Sequence, residues 1–244
     1  QVTLRDATLN AYTLPDSTMN YDFLIRAFAT DKSTPPQEQT SLIFGAQSIA
    51  IHNIRVRYND WRGNLDQLTL SIHELSKDVV NLNLTRLSGE VSKDGQAVRL
   101  EELKVAMLLN DSVVAFPTFY ARMPQSKLDL SGLHYIVADT TYHLHINEAR
   151  LSPKDIGLFV PAISKIDHAI ELQGDLSGRG DSLMFKDLQV LYHNNSILKG
   201  TIAATHLRDK HQATLNANLQ DLFLNARIVQ DFLSDMQDKP VHLP

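Results

Sequence analysis

The chain has 244 residues, 43% of them hydrophobic but only 7% aromatic, and a formal charge of -5 at pH 7. That length suffices for one large or two ordinary domains, and the acidic balance argues against a phosphate-backbone partner such as nucleic acid. The absence of cysteine removes disulfides and thiolate chemistry, and no apolar run approaches the ~18 residues that a membrane helix needs.

Val2 to Leu14 alternates apolar and polar residues, and Pro15-Asp16-Ser17 turns it. Met19, Tyr21, Phe23, Ile25 and Ala27 mark one face of a return strand, at the period of two expected of a half-buried strand. Asp31 to Gln39 reads as a loop. Ile49 to Asn59 is the next strand, with Ile54, Val56 and Tyr58 on one side and Arg55 and Arg57 on the other. A turn at Asp60–Asn64 leads into Leu65 to Leu75, where Leu68, Leu70 and Ile72 are in phase, and Val80, Leu82 and Leu84 follow.

Leu87 to Met107, LSGEVSKDGQAVRLEELKVAM, then recurs as LQGDLSGRGDSLMFKDLQVLY at Leu172 to Tyr192. Without a gap, Leu87 aligns with Leu172, Gly89 with Gly174, Gly95 with Gly180, Leu103 with Leu188 and Val105 with Val190. Each copy predicts a strand, a glycine turn, a second strand, a short acidic turn and a third strand. Such repetition points to an elongated, repetitive β structure. The chain is expected to be one continuous fragment, 1–244, of a longer protein.

Between the copies, Ser112 to Met123 is apolar on both faces and holds Pro117, which predicts a bulge or strand end. Leu128 and Leu130, then Leu133, Tyr135 and Val137, predict a further strand pair, and Tyr142, Leu144 and Ile146 alternate with His143, His145 and Asn147. A helix is expected over 153–160, with Ser152 as N-cap, Pro153 at the first helical position and Asp155 at a capping-box spacing. After the second copy come strands at Ile197–Thr205 and Ala213–Gln220, and a second helix over 226–236.

The chain carries no Walker loop, G-x-S-x-G, dinucleotide fingerprint or HExxH. His134, His143 and His145 could approach one another as zinc ligands, but the wet face of a sheet accounts for them more simply. Arg179-Gly180-Asp181 spells an adhesion tripeptide in a position that a glycine hairpin turn already explains. The expectation is therefore no enzyme, no metal and no cofactor.

What remains is the apolar side of strand after strand, with only two short helices to cover it. Such a face must close into a sandwich or curl around something greasy, because large exposed apolar patches mark interaction sites. Aliphatic rather than aromatic residues suit acyl chains, and the candidate lining is Val56, Leu70, Val105, Leu130, Leu144, Ile170, Val190 and Leu215. In a closed sandwich used for adhesion or scaffolding, the same residues would form a dry core.

Ile54-Arg-Val-Arg-Tyr58-Asn-Asp60, Leu87-Ser-Gly-Glu-Val91 with Leu100-Glu-Glu-Leu103, and above all Glu148–Pro161 followed by Leu172-Gln-Gly174-Asp-Leu-Ser-Gly178, resemble the TamB/AsmA-like family in its Bacteroidetes form. The resemblance spans about Ile49 to Met236. It implies a mainly β, elongated and curled sheet with an aliphatic groove, the "β-taco". It also implies a periplasmic setting, an inner-membrane anchor elsewhere in the full-length protein, and phospholipid carried toward the outer membrane. An Omp85-type barrel partner would be engaged by parts outside these residues. The family offers no catalytic positions.

Overall fold

The computed structural model describes residues 1–22, 47–76, 78–157, 159, 167–193, 196–209 and 211–223. They build one open, curled sheet of 13 strands. In chain order these are β1 (Val2–Arg5), β2 (Thr8–Ala11), β3 (Ser48–Tyr58), β4 (Trp61–Leu75), β5 (Val79–Lys93), β6 (Gln96–Asn110), β7 (Val113–Arg122), β8 (Lys127–Ile136) and β9 (Thr141–Leu151). One helical turn, α1 (Pro153–Ile156), precedes β10 (Ile170–Arg179), β11 (Ser182–Tyr192), β12 (Ser196–Thr205) and β13 (Thr214–Phe223). From β4 to β13 every strand lies antiparallel to its predecessor, so the sheet is a long meander. The alternating pattern and the short polar turns specify this arrangement locally. Asp94 and Gly95, at φ 52° and 80°, supply the two left-handed residues that a tight two-residue hairpin demands.

The sheet bends where its strands bulge. In the first repeat copy Leu87 faces Leu103 and Gly89 faces Leu100, so β6 carries one extra residue at Glu101-Glu102. In the second copy Gln173 faces Gln189 and Asp175 faces Lys186, so β11 carries its extra residue around Asp187, at φ 49°. The two bulges overlap at aligned positions of the repeat, Glu102 and Asp187, the first facing Ser88 beside Gly89 and the second facing Gly174. A third such glycine, Gly200 of Leu198-Lys-Gly200, borders the Asp187 bulge from the other side. These glycines admit no side chain. A Cβ on Gly174 would stand 2.9 Å from the Lys186 carbonyl oxygen and 3.1 Å from the Leu188 Cα, and its φ is +140°. On Gly89 a Cβ would run into the Asn64 carbonyl. Bulges increase local twist and bend a strand, and a file of them across neighbouring strands curls the sheet.

Several expectations need correction. The acidic turn of each repeat copy is a bulge inside a continuous strand, so a copy holds two strands rather than three. Leu128 to Val137 is not a strand pair: β8 runs through it, and a bulge at Gly132 (φ 62°) shifts the apolar phase from Leu128 and Leu130 to Leu133 and Tyr135. The opening segment splits at Asp6 (φ 54°) into β1 and β2, both parallel to β3, and just beyond β2 Thr13 forms an antiparallel bridge with Met19, the first residue of the expected return strand. Asn53 (φ 54°) lies at the matching point within β3, and its side-chain amide donates to the Asp6 carboxylate at 2.5 Å.

The helix is a single turn at Pro153–Ile156, and Ser152 makes no side-chain cap. Asp155 instead accepts a hydrogen bond from the Gln125 backbone N–H at 2.7 Å, tying α1 to the β7–β8 turn. Phe23, Ile25 and Ala27 of the expected return strand, the loop at Asp31–Gln39 and the helix over 226–236 lie outside the described residues.

The bulge glycines carry a direct test. Gly174→Ala is expected to lower unfolding free energy by about 1–3 kcal/mol, from left-handed strain plus the backbone clash. At Gly63 a Cβ would have only ordinary contacts, 3.6 Å from the Glu90 carbonyl oxygen. Gly63→Ala should therefore be neutral or stabilise by up to about 1 kcal/mol. Urea midpoints of the two variants give the comparison.

Candidate functional site: the apolar face of the sheet

Residues that oppose each other across a ladder project to the same side of the sheet. Followed from strand to strand, the register draws one file across twelve strands: Leu4, Ile51, Leu68, Leu87, Leu103, Ala121, Leu128, Ala149, Leu172, Val190, Leu198 and Leu222. No polar residue interrupts it. At about 4.8 Å per strand the file is roughly 50 Å long, measured along the sheet. A second file, Ile49, Leu70, Leu84, Val105, Phe119, Leu130 and Ile146, runs beside it from β3 to β9.

All eight candidate lining residues lie on this one face. Leu70, Val105 and Leu130 belong to the second file, and Val190 to the first. Val56 faces Gly63, which faces Val91; Leu144 faces Leu176; Ile170 lies between Leu151 and Tyr192; Leu215 faces Ala204. Seven of them, Val56 to Val190, are half-buried, whereas Leu215 on the outermost strand is 70% exposed. The face is thus neither a dry core nor a free surface. The deepest positions are others: Ile54 and Ala149 at 2% exposure, Leu188 at 5% and Ile146 at 6%. Leu188 and Ile146 both flank the Gly174 bulge, where the bend crowds side chains together. Sequence periodicity carries no sign of that crowding except the L-x-G glycines themselves.

One more glycine is occupied from outside. A Cβ on Gly178 would fall on the ring of Tyr142, whose hydroxyl donates to the Ser182 carbonyl at 2.9 Å. The ring fills the gap in the apolar face that glycine leaves.

At one corner the face is roofed. Strands β3 to β6 extend past the ends of β7 and β8, and this overhang carries Val56, Gly63, Leu65, Val91 and Leu100, all half-buried, and the buried Val98. The chain leaving α1 places Phe159 over this overhang, stacked on Trp61 with ring centroids 6.5 Å apart and planes 9° from parallel. An apolar recess of about 270 Å³ lies between Phe159 and the overhang, with Met123 in its wall. Ser152 and Asp155, both buried, hold the start of this connection through Ser126 Oγ and the Gln125 N–H.

The opposite face is polar and charged. Lys104–Glu102 (2.8 Å), Arg122–Glu101 (3.1 Å), Lys127–Glu148 (2.5 Å) and Arg150–Glu171 alternate sign across β6 to β10. Exposed pairs of this kind contribute about 0–1 kcal/mol each, so they keep this side in water more than they hold the fold. The Lys104 ammonium, donating to Glu102, holds that carboxyl below its usual range, and the Glu148 carboxylate raises Lys127. His134 and His143 stack at 5.5 Å, and His145 Nδ1 lies 2.6 Å from Asp175 Oδ1 on the same polar side. Among the described residues no group of three or more His, Asp or Glu side chains is arranged to hold a metal. No helix among them is long and apolar enough to cross a membrane.

Two outcomes separate core from lining. Leu188→Ala is expected to cost about 2–5 kcal/mol in chemical denaturation, while Leu215→Ala should stay within about 0.5 kcal/mol of the parent. On the polar side, Lys104→Met should return the Glu102 pKa toward its ordinary 4.5, as followed by NMR titration. Because the folded-state value is depressed, Glu102 stabilises the fold above its unfolded pKa, and that contribution disappears as pH falls through the folded one. No family model, curated protein or solved structure matches this chain.

Proposed function

We propose that this chain is a section of a non-enzymatic lipid conduit, in which phospholipid acyl chains lie along the apolar face and headgroups stay at the wet rim. The observation that carries the reading is the unbroken aliphatic file from Leu4 to Leu222, half-buried along most of its length and exposed at both ends, with no second sheet over it among the described residues. Each methylene brought onto such a surface contributes about 0.8 kcal/mol. The successive positions are chemically alike, so a chain is held at each without being trapped at any. The length also suits transport between surfaces, since roughly 50 Å of sheet exceeds the ~15 Å that one leaflet's hydrocarbon spans.

The resemblance of the L-x-G segments and of Glu148–Pro161 to the TamB/AsmA-like family supports the same reading. It extends it to a periplasmic protein that serves outer-membrane biogenesis, is anchored in the inner membrane and works beside an Omp85-type barrel. The alternative of a closed sandwich adhesion or scaffolding module has less support, because the described strands form a single open sheet.

Photo-crosslinkers placed at Leu144 and Val190 in cells are expected to capture phospholipid, while a crosslinker at Lys199 on the polar face captures none. Native mass spectrometry of the purified protein should show lipid released by organic extraction. Equal capture on both faces, or none at Leu144 and Val190, would overturn the conduit reading.

A further inference from the structure

The sheet has two edges, and they are built differently. At one, β1 and β2 are four residues each, interrupted at Asp6 and carrying Arg5. Short, broken and charged strands keep an edge from pairing with another chain. At the other edge β13 runs for ten residues, Thr214–Phe223, every one of them exposed. Its register against β12 is regular from Thr214 to Leu219, and no described strand pairs with its outer side. It holds no Lys, Arg or Pro, and its one charge is Asp221, near its end.

Within that edge the sequence is a palindrome. Leu215-Asn216-Ala217-Asn218-Leu219 reads the same in both directions about Ala217. A two-fold axis through Ala217, perpendicular to the sheet, would lay this edge antiparallel against the same edge of a second copy. Leu215 then faces Leu219 and Ala217 faces Ala217 on the apolar side, while Asn216 faces Asn218 on the polar side. No charge lies within these five residues, so no like-charge contact opposes the pairing. The new ladder gives partners to backbone N–H and C=O groups that the edge leaves to water.

The apolar face continues through the same axis. Leu144, Leu176, Phe185, Ile202 and Ala217 form one row across β9 to β13. At the free edge, Ala217 would be followed by the same row of the second copy in reverse order.

We propose that β13 is a self-association edge, through which two copies of this chain join antiparallel about Ala217 into one continuous sheet. The pairing rests on the edge and not on what the apolar face carries, so it stands or falls apart from the conduit reading. Combined with that reading, it doubles the length of the aliphatic surface.

The chain has no cysteine, so single-cysteine variants of the whole protein report the register directly. Ala217→Cys should form an intermolecular disulfide under mild oxidation, because directly opposed Cβ atoms lie about 4.5–5.5 Å apart. Leu215→Cys and Leu219→Cys should each give none alone and should link when mixed. Sedimentation of the parent should show a concentration-dependent dimer. Ala217→Lys and Ala217→Glu should each raise its dissociation constant by about tenfold or more, since like charges then face each other. An equimolar mixture of the two should restore the dimer, which also shows that both variants fold.

A parent that stays monomeric at every concentration overturns the proposal, as does a dimer that survives Ala217→Lys or a mixture no tighter than either variant alone. Linkage of Ala217→Cys to Leu9→Cys, on the opposite edge, in preference to itself overturns it in favour of head-to-tail pairing. Phospholipid capture at Leu144 and Val190 in the Ala217→Lys protein tests the conduit separately.

Discussion

At Gly174 the carbonyl of Lys186 and the Cα of Leu188 come so near that no β-carbon fits, and the same crowding recurs at Gly89 against Asn64 and at Gly200 against Leu219. Each contact is a bulged strand pressed against the backbone of its neighbour. Together they turn what would be a flat ribbon into a curled sheet. The distribution of burial follows from that bend. It draws Ile146 and Leu188 together into depth, and it leaves most of the other aliphatic residues half in water. Because the described residues form a single layer with no opposing layer among them, the apolar face stays available.

The charged face is the counterpart of this arrangement. A one-layer sheet shows one side to bulk solvent along its whole length, and alternating Lys, Arg, Glu and Asp keep that side from associating with another sheet. The ion pairs themselves are weak, so stability rests on the ladders and on the few buried positions. Sidedness is therefore a property of the whole molecule, and the difference between the two faces matters more than any single residue on either.

Strand positions and the side on which Val56, Leu70, Leu144 or Val190 would lie were legible in the alternation, because a period of two is a local property of the chain. What alternation cannot show is a change of phase. At Gly132 the apolar residues jump from Leu130 to Leu133, which reads as two strands although the backbone continues through a bulge. Glu101-Glu102 reads as a turn for the same reason. Asp155 has the spacing of a helix cap, yet its carboxylate serves a backbone N–H thirty positions away in the β7–β8 turn. The parallel seating of β1 and β2 on β3 has no local signature, since it depends on a partner more than forty residues distant. The placement of Phe159 over Trp61 is long-range in the same sense.

The meander order has a consequence for how the chain acquires its shape. Each strand from β4 to β13 pairs with the one just made, so nearly every contact closes a short loop and little chain entropy is spent at once. Such a sheet can grow from any hairpin outward, one strand at a time, as linear repeat proteins do. The exceptions are the parallel ribbons β1 and β2, which must wait for β3 to exist, and Phe159, which needs β4 to β6 in place. Assembly of the sheet is thus sequential in its body and late at that one corner. The roof over Trp61 would be the last part to form and the first to let go.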